Sequence, residues 1–352
     1  MKVGLIVPNN IWFCPYVSIY TKILDELSIG YELVSWNRAG VKEDGYQFEY
    51  QPTSRNRFSL LWAYYKFALF VKKKVIERGY DKLIVFTPQS GIFLARFLQR
   101  RFDGNYIFDY RDLSIEQMPL FKRSFRKLLS HSYLNVISSP GFKKYLPKSF
   151  DYLLSHNFDI NVVQESLNQL GCHELSTATI NVLTIGGIRD YESNVLVEDA
   201  LANHPNVNLF FVGRGPSAGA LEEHAKCLKA NNIFFKGYYP KEEEKSYIEK
   251  CTFLNIFYPR RPSHDSALSN RFYNSLIYRR PMIVTADTTQ GGYVEKYGLG
   301  LAIDSCENLD VKMRSFINSF SMETYDNNCR QLLSSFLKDY ETFREKFVSF
   351  LK

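Results

Sequence analysis

Residues 265–283, which read DSALSNRFYNSLIYRRPMI, are the densest part of a longer segment, 181–304, that decides the fold of this chain. Several short apolar runs in this segment end on glycine, as at Gly186, Gly187 and Gly213, and a helix-like stretch follows each run. Alternating short strands and amphipathic helices predict a parallel sheet with helices on both faces. Ligands of such sheets bind where strands end and helices begin, so the glycines predict a nucleotide site.

Length and composition limit the class of protein. A chain of 352 residues is too long for one compact core, which predicts two domains. Its 45% apolar and 23% charged residues are typical of a globular protein and exclude a disordered chain or a coiled coil. The six cysteines include no C-x-x-C pair, so we expect reduced thiols rather than disulfides or a zinc site. The first apolar run is too short for a signal peptide, and no stretch has the roughly 18–20 apolar residues of a membrane-spanning helix, so we expect a cytoplasmic protein.

The charge is unevenly distributed along the chain. Residues 1–160 contain 23 Lys and Arg against 14 Asp and Glu, whereas the remainder contains 21 against 23. This asymmetry predicts an anionic partner for the N-terminal half, such as a phosphorylated lipid, a membrane surface or a nucleic acid.

The N-terminal half also alternates between strands and helices, which predicts a second Rossmann-like domain. Residues 36–57 lack a clear period and are interpreted as an irregular loop, of the kind that often carries binding residues. Residues 162–179 are polar and weakly patterned, so we interpret them as the connection between the domains.

The strongest helical signal of this half is the stretch 58–78, FSLLWAYYKFALFVKKKVIER, with a basic cluster at Lys72, Lys73 and Lys74. One interpretation is an ordinary helix that covers a sheet and exposes its lysines. The other is a helix that lies flat on an anionic membrane surface. The two interpretations are compatible, and both stay open at this point.

Within 265–283, Asp265 or Ser266 is expected to cap a helix that Pro281 ends. Arg271 then falls in its first turns, and a helix N-terminus with a fixed cation is a good site for a diphosphate. The alternative is that Arg271 is a solvated surface charge.

The succession FVGRGP, NIFFKG, NIFYP, SALSNRFYNSLIYRRPMIVT and YGLGLAI resembles the C-terminal domain of GT-B-fold glycosyltransferases, in particular family-4-like enzymes of bacterial capsular and exopolysaccharide assembly. The resemblance implies an α/β GT-B fold, in which two Rossmann-like domains face each other across a cleft. We therefore expect an acceptor-binding domain over residues 1–165 and a nucleotide-sugar domain over 166–330. A C-terminal helix over 331–352 is expected to pack back on the first domain.

The resemblance also implies a set of donor-binding residues. These are Gly186, Gly187, Arg189, Gly213, Arg214, Ser266, Ala267, Leu268, Asn270, Arg271 and Asn274. The family has two glutamates eight positions apart, and Ser266 and Asn274 stand at those places here. Asn274 could still bind a ribose hydroxyl, whereas Ser266 is a poorer substitute. The family's Arg and Lys after the first glycine turn fall on Gly187 and Glu192, so their role with phosphate would pass to Arg189, Arg214 or Arg271.

In the N-terminal domain the family has a His-Asp pair, and Arg111 and Asp112 stand in that place, with Asp109 nearby. The resemblance makes these three the candidate catalytic residues. An Asp there could be the general base of an inverting reaction. In a retaining reaction, which is slightly favoured, the leaving phosphate could take the proton and Arg111 would orient groups. Alternatively Asp112 caps the next helix, and His156 could line the cleft or be structural.

We expect the protein to transfer a hexose from a UDP- or GDP-type donor to a lipid-linked saccharide acceptor. The transfer would belong to the synthesis of a bacterial capsule, an exopolysaccharide or a surface glycan. No cofactor or metal is expected, since the sequence has no D-x-D triplet. No nucleic acid partner is expected either. Lys72, Lys73 and Lys74 would face the acceptor or the membrane, in a cytoplasmic protein peripheral to the inner face of the cell membrane. The alternatives are a non-catalytic GT-B protein that binds a sugar nucleotide or a partner enzyme, and a sugar-nucleotide 2-epimerase. A nicotinamide dehydrogenase is disfavoured because no G-x-G-x-x-G follows a strand.

Overall fold

A computed structural model describes residues 1–52, 56–169 and 174–352, apart from the side chain of Arg57. The chain divides into two compact units. Unit 1 comprises Met1–Asn157 and Lys338–Lys352, and unit 2 comprises Phe158–Leu337. Each unit is built on one parallel sheet with helices. Within the described residues, no helix has both the length and the apolar character needed to cross a membrane.

The sheet of unit 1 has seven strands in the order β3-β2-β1-β4-β5-β6-β7. The strands are β1 (Lys2–Val7), β2 (Gly30–Trp36), β3 (Tyr46–Phe48), β4 (Lys82–Phe86), β5 (Tyr106–Tyr110), β6 (Leu134–Ile137) and β7 (Leu153–Leu154). Every neighbouring pair is parallel, and the strand order reverses direction between β1 and β4. A reversal of this kind opens a crevice at the carboxyl ends of the two strands.

Four α-helices connect these strands, with short 3-10 turns between them. The helices are α1 (Val17–Glu26), α2 (Arg57–Arg78), α3 (Pro88–Arg101) and α4 (Lys122–Ser130), and the 3-10 turns are Ile11–Phe13, Ile115–Gln117, Pro119–Phe121 and Pro140–Tyr145. The side chain of Asn56 caps α2 by accepting the Ser59 N–H at 2.8 Å, and the helix ends at Gly79 with a left-handed φ of 62°.

The sheet of unit 2 has six strands in the order β10-β9-β8-β11-β12-β13, again parallel throughout. They are β8 (Ile180–Ile185), β9 (Val207–Val212), β10 (Ile233–Lys236), β11 (Phe253–Ile256), β12 (Met282–Thr285) and β13 (Gly300–Ile303). The order reverses between β8 and β11, so the expected ligand crevice of this unit lies at the ends of those two strands.

Unit 2 carries most of the helices. They are α5 (Ile160–Asn168), α6 (Tyr191–Leu201), α7 (Ala218–Cys227), α8 (Glu244–Glu249) with a 3-10 turn at Lys241–Glu243 before it, α9 (Pro262–Ser266), α10 (Asn270–Ile277), α11 (Thr289–Tyr297) and α12 (Leu309–Asn318). The last helix, α13 (Met322–Leu351), contributes Tyr325, Leu332 and Phe336 to the core of unit 2. Farther along, Phe343 and Phe347 belong to the core of unit 1.

Two segments differ from their predicted structure. The stretch interpreted as a polar connection, 162–179, begins inside α5, where Val163 is buried in the core of unit 2. Two buried positions, Val163 and Ser166, are too weak a pattern to distinguish this short helix from a loop. The predicted loop 36–57 contains β3, whose three residues pair with β2. Residues 53–55 and 170–173, which include Cys172, lie outside the described parts of the chain.

Candidate functional site

A cavity of about 390 Å³ opens in unit 2 where β8 and β11 end, at the reversal of the strand order. Eight of the eleven predicted donor-binding residues line it, namely Gly186, Gly187, Arg189, Ala267, Leu268, Asn270, Arg271 and Asn274. Glu244, Tyr258 and Gln290 complete much of the wall. The prediction therefore selected residues that converge on one cavity, although they come from two separate parts of the chain, 186–189 and 267–274.

A larger cavity of about 650 Å³ lies elsewhere in unit 2, against the faces of β8, β9 and β10. Its wall is largely aromatic and aliphatic, with Phe210, Phe234 and Phe235 from the strands. The ammonium of Lys236 at its edge is already paired with the carboxylate of Glu243 at 3.5 Å. No glycine turn lines this cavity, so the smaller one is the better candidate for a nucleotide.

The glycine turn after β8 is packed against the turn after β9. The N–H of Gly186 donates to the carbonyl of Val212 at 2.9 Å, and Gly186 has a φ of 92°. Gly213 has a φ of 136°, and a Cβ there would lie 2.0 Å from the carbonyl oxygen of Gly186. A Cβ on Gly215 would lie equally close to the carbonyl oxygen of Ile188. Only glycine permits this approach of two backbones.

Gly213 and Arg214, predicted to bind the donor, do not line the cavity. Gly213 supports the turn from behind, and the guanidinium of Arg214 lies 5.4 Å from the centre of the Tyr238 ring. Gly213 therefore shapes the turn formed by Gly186 and Gly187, and the donor contacts expected of Gly213 and Arg214 stay predictions.

Replacing Gly213 by alanine is expected to lower the free energy of unfolding of unit 2 by at least about 2 kcal/mol, because the new Cβ meets backbone and the φ is left-handed. Gly219 is the matched control, since a Cβ there meets nothing within 4 Å and the residue lies within α7. Gly219→Ala should leave stability unchanged or raise it by up to about 1 kcal/mol. Urea denaturation followed by circular dichroism measures both, and equal effects would contradict the steric explanation.

The segment predicted to form one helix from Asp265 or Ser266 is two helices in the structure. The first, α9, ends at the buried Ser266, and α10 begins at Asn270. The actual cap is Ser269, whose hydroxyl accepts the Phe272 N–H at 3.2 Å. Ser266 therefore neither caps α10 nor lines the cavity, so the prediction of a cap at this residue was wrong, and its contact with the donor stays a prediction.

Ser269 is held by a contact with α11 that the local sequence does not reveal. The side-chain oxygen of Gln290 accepts both the backbone N–H of Ser269, at 3.0 Å, and its hydroxyl, at 2.7 Å. With Ser269 fixed in an extended conformation, Asn270 and Arg271 become the first turn of α10 and line the cavity. The first N–H groups of a helix have no partner within the helix, so this end of α10 favours an anion.

Arg271 lies under the glycine turn rather than in solvent, with only 8% of its surface exposed. Its guanidinium donates to the carbonyl oxygens of Ile185 at 2.6 Å, Gly187 at 3.0 Å and Asn255 at 3.3 Å. The alternative of a solvated surface charge is therefore wrong. Among the residues that the structure describes, no carboxylate forms an ion pair with Arg271. A buried cation without a counter-ion at a cavity wall favours binding of an anion there.

Arg189 supplies a second positive charge to the same cavity. It is exposed, and its side chain forms no hydrogen bond or ion pair with any described residue. Only its backbone carbonyl is engaged, by the hydroxyl of Ser217 at 2.7 Å. Its guanidinium is therefore available to a ligand, whereas that of Arg271 is fixed in place.

Glu244 was missed in the sequence and lies in the cavity wall. Its carboxylate accepts the side-chain N–H of Asn274 at 3.0 Å and the hydroxyl of Tyr239 at 2.8 Å, and it pairs with Lys241. Asn274, expected to bind a ribose hydroxyl, thus positions an acid that comes from another helix. Glu244 is the last of three consecutive glutamates, and nothing in that run shows which one faces the cavity.

In unit 1, the candidate Asp109 lies at the end of β5 and is fully buried. Its Oδ2 accepts the hydroxyl of Tyr20 at 2.6 Å and the guanidinium of Arg111 at 2.5 Å. Burial raises the pKa of Asp109, and the neighbouring Arg111 and Tyr20 oppose that rise. Arg111 also donates to the carbonyl of Ser155 at 3.0 Å and lies 4.8 Å from the centre of the Tyr16 ring. The Asp109 carboxylate is enclosed in the protein, and the side chain of Arg111 is 6% exposed.

Asp112 is the exposed member of the predicted catalytic set. Its carboxylate accepts the N–H of the adjacent Leu113 at 2.8 Å. The residue that precedes the following 3-10 turn is Ser114, so Asp112 is not the cap of that turn. Of the three candidates, Asp112 is the most exposed.

His156, Lys73 and Lys74 have partners within unit 1. The Nε2 atom of His156 lies 3.0 Å from the carboxylate of Asp339, and burial lowers the pKa of His156. Lys73 and Lys74 both pair with Glu77, at 3.7 and 2.9 Å, and burial lowers the pKa of Lys72. Over the described residues, no group of three or more His, Cys, Asp or Glu side chains could hold a metal ion.

Two parallel sheets of seven and six strands, each with the reversed Rossmann-type strand order, define the GT-B fold. Solved structures of GT-B glycosyltransferases match the chain along its whole length. Sucrose-phosphate synthase from Thermosynechococcus elongatus is 15% identical, covers 99% of this chain and 100% of its own, and has a TM-score of 0.68. WaaG, a glycosyltransferase involved in lipopolysaccharide biosynthesis, is 12% identical over 97% of this chain and 98% of its own, with a TM-score of 0.63.

HepE from Anabaena is a third similar structure, solved with UDP and with UDP and glucose. It is 15% identical over 99% of this chain and 100% of its own, with TM-scores of 0.64 and 0.65. No protein-family model matches the sequence, and no curated protein matches it either. At these identities the similarity establishes the fold, and the activity has to be argued from the site.

Proposed function

We propose that this protein is a glycosyltransferase that takes its sugar from a nucleotide diphospho-sugar of the UDP or GDP type. The observation that carries the proposal is the buried guanidinium of Arg271, which no carboxylate of the described chain balances, in the cavity at the end of β8. It lies beside a glycine turn and the first turn of α10, and each of the three favours a bound diphosphate. The UDP complexes of HepE support the choice of ligand.

In the reaction, negative charge develops on the leaving nucleotide diphosphate as the bond to the sugar breaks. Arg271 is fixed by three carbonyl oxygens before the substrate arrives, so its charge requires no reorganisation during the reaction. Arg189 is exposed and able to move onto the diphosphate once it is bound. We infer that Arg271 supplies fixed stabilisation and that Arg189 adds a contact on binding.

We further propose that Glu244 binds the ribose of the donor. Its carboxylate is oriented by Asn274 and Tyr239 and lies in the same cavity as Arg271. Two carboxylate oxygens can accept hydrogen bonds from two adjacent hydroxyls, which is the arrangement a ribose presents. Glu244 would then supply the acid that the family has where Asn274 stands here.

Glu244→Gln is expected to weaken UDP binding by about 1–2 kcal/mol, since a charged acceptor becomes a neutral amide. Its effect should be much smaller for the 2′-deoxy analogue dUDP, which lacks one of the hydroxyls. Glu242→Gln is the matched control, because Glu242 is exposed and does not line the cavity. Calorimetry measures the affinity of each variant for UDP and for dUDP. If Glu244→Gln weakened the binding of both nucleotides equally, a contact to the 2′-hydroxyl would be contradicted.

For the acceptor side, we propose a saccharide carried on a lipid, in family-4-like synthesis of a bacterial capsule, exopolysaccharide or other surface glycan. The excess of Lys and Arg in residues 1–160 supports an anionic, lipid-borne acceptor at the inner face of the cell membrane. Asp112 is the candidate for contact with the reacting groups, and a retaining, metal-independent reaction is proposed. The Asp112→Asn variant tests this role. The rate of sugar transfer and the configuration of the product are measured for the variant and the wild type.

The activity is tested by incubating the purified protein with UDP- and GDP-sugars, with and without a membrane lipid extract. A glycosyltransferase releases nucleotide diphosphate only when an acceptor in the extract is present. Formation of a 2-epimer without extract would instead support the sugar-nucleotide epimerase. Nucleotide binding without release or epimerisation, with every donor and extract tested, would support the non-catalytic binding protein.

A further inference from the structure

The larger cavity of unit 2, about 650 Å³ in volume, lies over a part of the sheet that is open to solvent. The strand register places Leu183, Phe210 and Phe234 side by side on one face of β8, β9 and β10. On the opposite face, Leu209 and Phe211 are fully buried with residues of α6 and α7. Phe210 is only half-buried, and Phe234 is 44% exposed. The face that carries Phe210 and Phe234 is therefore incompletely covered.

This opening results from the length and position of α8, which connects β10 to β11. A helix is about 10 Å wide and covers roughly two strands, since neighbouring strands lie about 4.8 Å apart. The chain has to cross β9 and β8 on its way from β10 to β11, yet α8 has only six residues and packs on β8. Its fully buried Ile248 belongs to the core of unit 2. The strands left open are therefore β9 and β10.

The wall of this cavity is apolar, and positive charge lies at its edge. Val212 and Cys251 extend the wall, and burial raises the pKa of Cys251 to about 12, so its thiol is uncharged near neutral pH. At the edge, Lys236 is paired with Glu243 at 3.5 Å, but the exposed Lys250 forms no side-chain hydrogen bond or ion pair with any described residue. We use the name apolar cavity for this site.

A small amphipathic anion matches these features better than a partner protein does. The volume lies in the range of about 300–1,000 Å³ that is usual for small-molecule sites. Strand β10 is at the edge of the sheet, but it has only four residues and ends in Lys236, and short edge strands with lysine resist pairing with another sheet. The apolar body of a ligand would be buried against Phe210 and Phe234, and its anionic group would pair with Lys250. A medium-chain carboxylate has both parts.

Helix α8 connects the apolar cavity to the cavity of about 390 Å³ that is the proposed donor site. Lys241 and Glu244, at the start of the helix, line the donor site, and Tyr247 and Lys250, one and two turns later, line the apolar cavity. The hydroxyl of Tyr239 donates to Glu244 at 2.8 Å, and the Tyr239 ring lies 5.9 Å from that of Tyr247. A ligand packed on Tyr247 would therefore hold α8 in place and, with it, Glu244.

We propose that the apolar cavity is a regulatory site for a medium-chain carboxylate, which raises the affinity of the donor site by holding α8 in place. Binding of the carboxylate is independent of the proposed function, whereas its effect on the donor rests on the ribose contact proposed for Glu244. When α8 is already ordered, less ordering remains for the donor to induce, which gives positive coupling without a change of fold. Coupling between two binding sites acts equally in both directions.

The test is calorimetry of the full chain with decanoate, with UDP, and with UDP at saturating decanoate. Decanoate is expected to bind at one site and to tighten the binding of UDP about fivefold. Its uncharged analogue decanol should bind about fivefold more weakly than decanoate, because it lacks the charge that pairs with Lys250. Hydrogen–deuterium exchange of the backbone of α8 should slow when decanoate alone is added, which measures the ordering of this helix directly.

Two variants locate the carboxylate. Phe234→Ser should weaken the binding of decanoate about tenfold, since buried apolar area is lost. Lys250→Gln should abolish the preference for decanoate over decanol. The matched controls are Leu196→Ser, at an exposed position of α6, and Lys245→Gln, at an exposed position of α8 that does not line the apolar cavity. Both controls should bind decanoate like the wild type, and all four positions are exposed, so the changes are compatible with folding.

Three results would overturn the proposal. One is a protein that binds UDP but not decanoate. Another is decanoate binding that leaves the affinity for UDP unchanged or lowers it. The third is a wild-type dimer in light scattering that Phe234→Ser converts to a monomer, since a second copy of the chain would then occupy the cavity. Binding of decanoate with slower exchange of α8, but without any binding of UDP, would instead count against the proposed donor site.

Discussion

Replacement of Arg271 by alanine will weaken binding of UDP by about 3 kcal/mol, roughly a hundredfold, when measured by calorimetry on the folded protein. The physical reason is twofold. The variant removes the buried positive charge that no carboxylate of the described chain balances, and it frees the glycine turn whose carbonyls the guanidinium holds. The three carbonyl oxygens left without a donor should also lower the free energy of unfolding by about 1–3 kcal/mol.

Arg314 provides the matched control for this prediction. Its guanidinium donates to the carbonyls of Thr177 and Pro205 at 3.1 and 3.0 Å, and it does not line the cavity. Arg314→Ala should therefore cost stability in the same way but leave UDP binding unchanged. Arg271→Lys should give an intermediate affinity, because it keeps the charge but loses the planar set of donors. If Arg271→Ala bound UDP like the wild type, the assignment of the cavity to the diphosphate would fail.

Replacement of Asp109 by alanine will lower the free energy of unfolding of unit 1 by about 3–5 kcal/mol, because it leaves the guanidinium of Arg111 buried without its counter-ion. All three tryptophans, Trp12, Trp36 and Trp62, belong to unit 1, so their fluorescence during urea denaturation reports on this unit. Tyr20→Phe, which removes only one neutral donor to the same carboxylate, should cost about 1 kcal/mol.

This prediction separates a structural from a catalytic role for Asp109. If the role is structural, Asp109→Ala is less stable than the wild type, but the fraction of the variant that stays folded keeps the wild-type turnover number. Asp112→Asn is the contrasting variant, since Asp112 is exposed and its replacement should change the free energy of unfolding by less than about 0.5 kcal/mol. An Asp109→Ala protein with wild-type stability and no activity would restore Asp109 as the catalytic base.

The strands of unit 2 could be predicted because buried parallel strands are continuous apolar runs, and such runs end at glycines here. The position of the cavity followed from the same pattern, since its glycines follow β8 and α10 follows β11, which are neighbours in the sheet. What could not be predicted is the direction of the Arg271 side chain. Its three partners are backbone carbonyls of β8, β11 and the glycine turn. Every residue type has a backbone carbonyl, so the sequence does not indicate such contacts.

The errors around α10 have a similar cause. Ser269 caps the helix because Gln290 holds it from α11, 21 residues away along the chain. Asp265 and Ser266 are equally good caps by residue type, so local preference alone could not select the correct one. Glu244 was missed because its selection over two adjacent glutamates depends on Asn274 and Tyr239, which approach it only in the folded chain.

The close approach of the two glycine turns has a consequence for mutational tolerance. In a saturation library selected for sugar-nucleotide binding, positions 213 and 215 should accept almost nothing but glycine, as strictly as any position that contacts the ligand. Neither residue lines the cavity, so their intolerance of substitution would result from the contact of one backbone with another. Arg189 lines the cavity, and its side chain has no partner among the described residues, so it should tolerate more substitutions than either glycine. Tolerance alone would then rank the residues of this site in the wrong order.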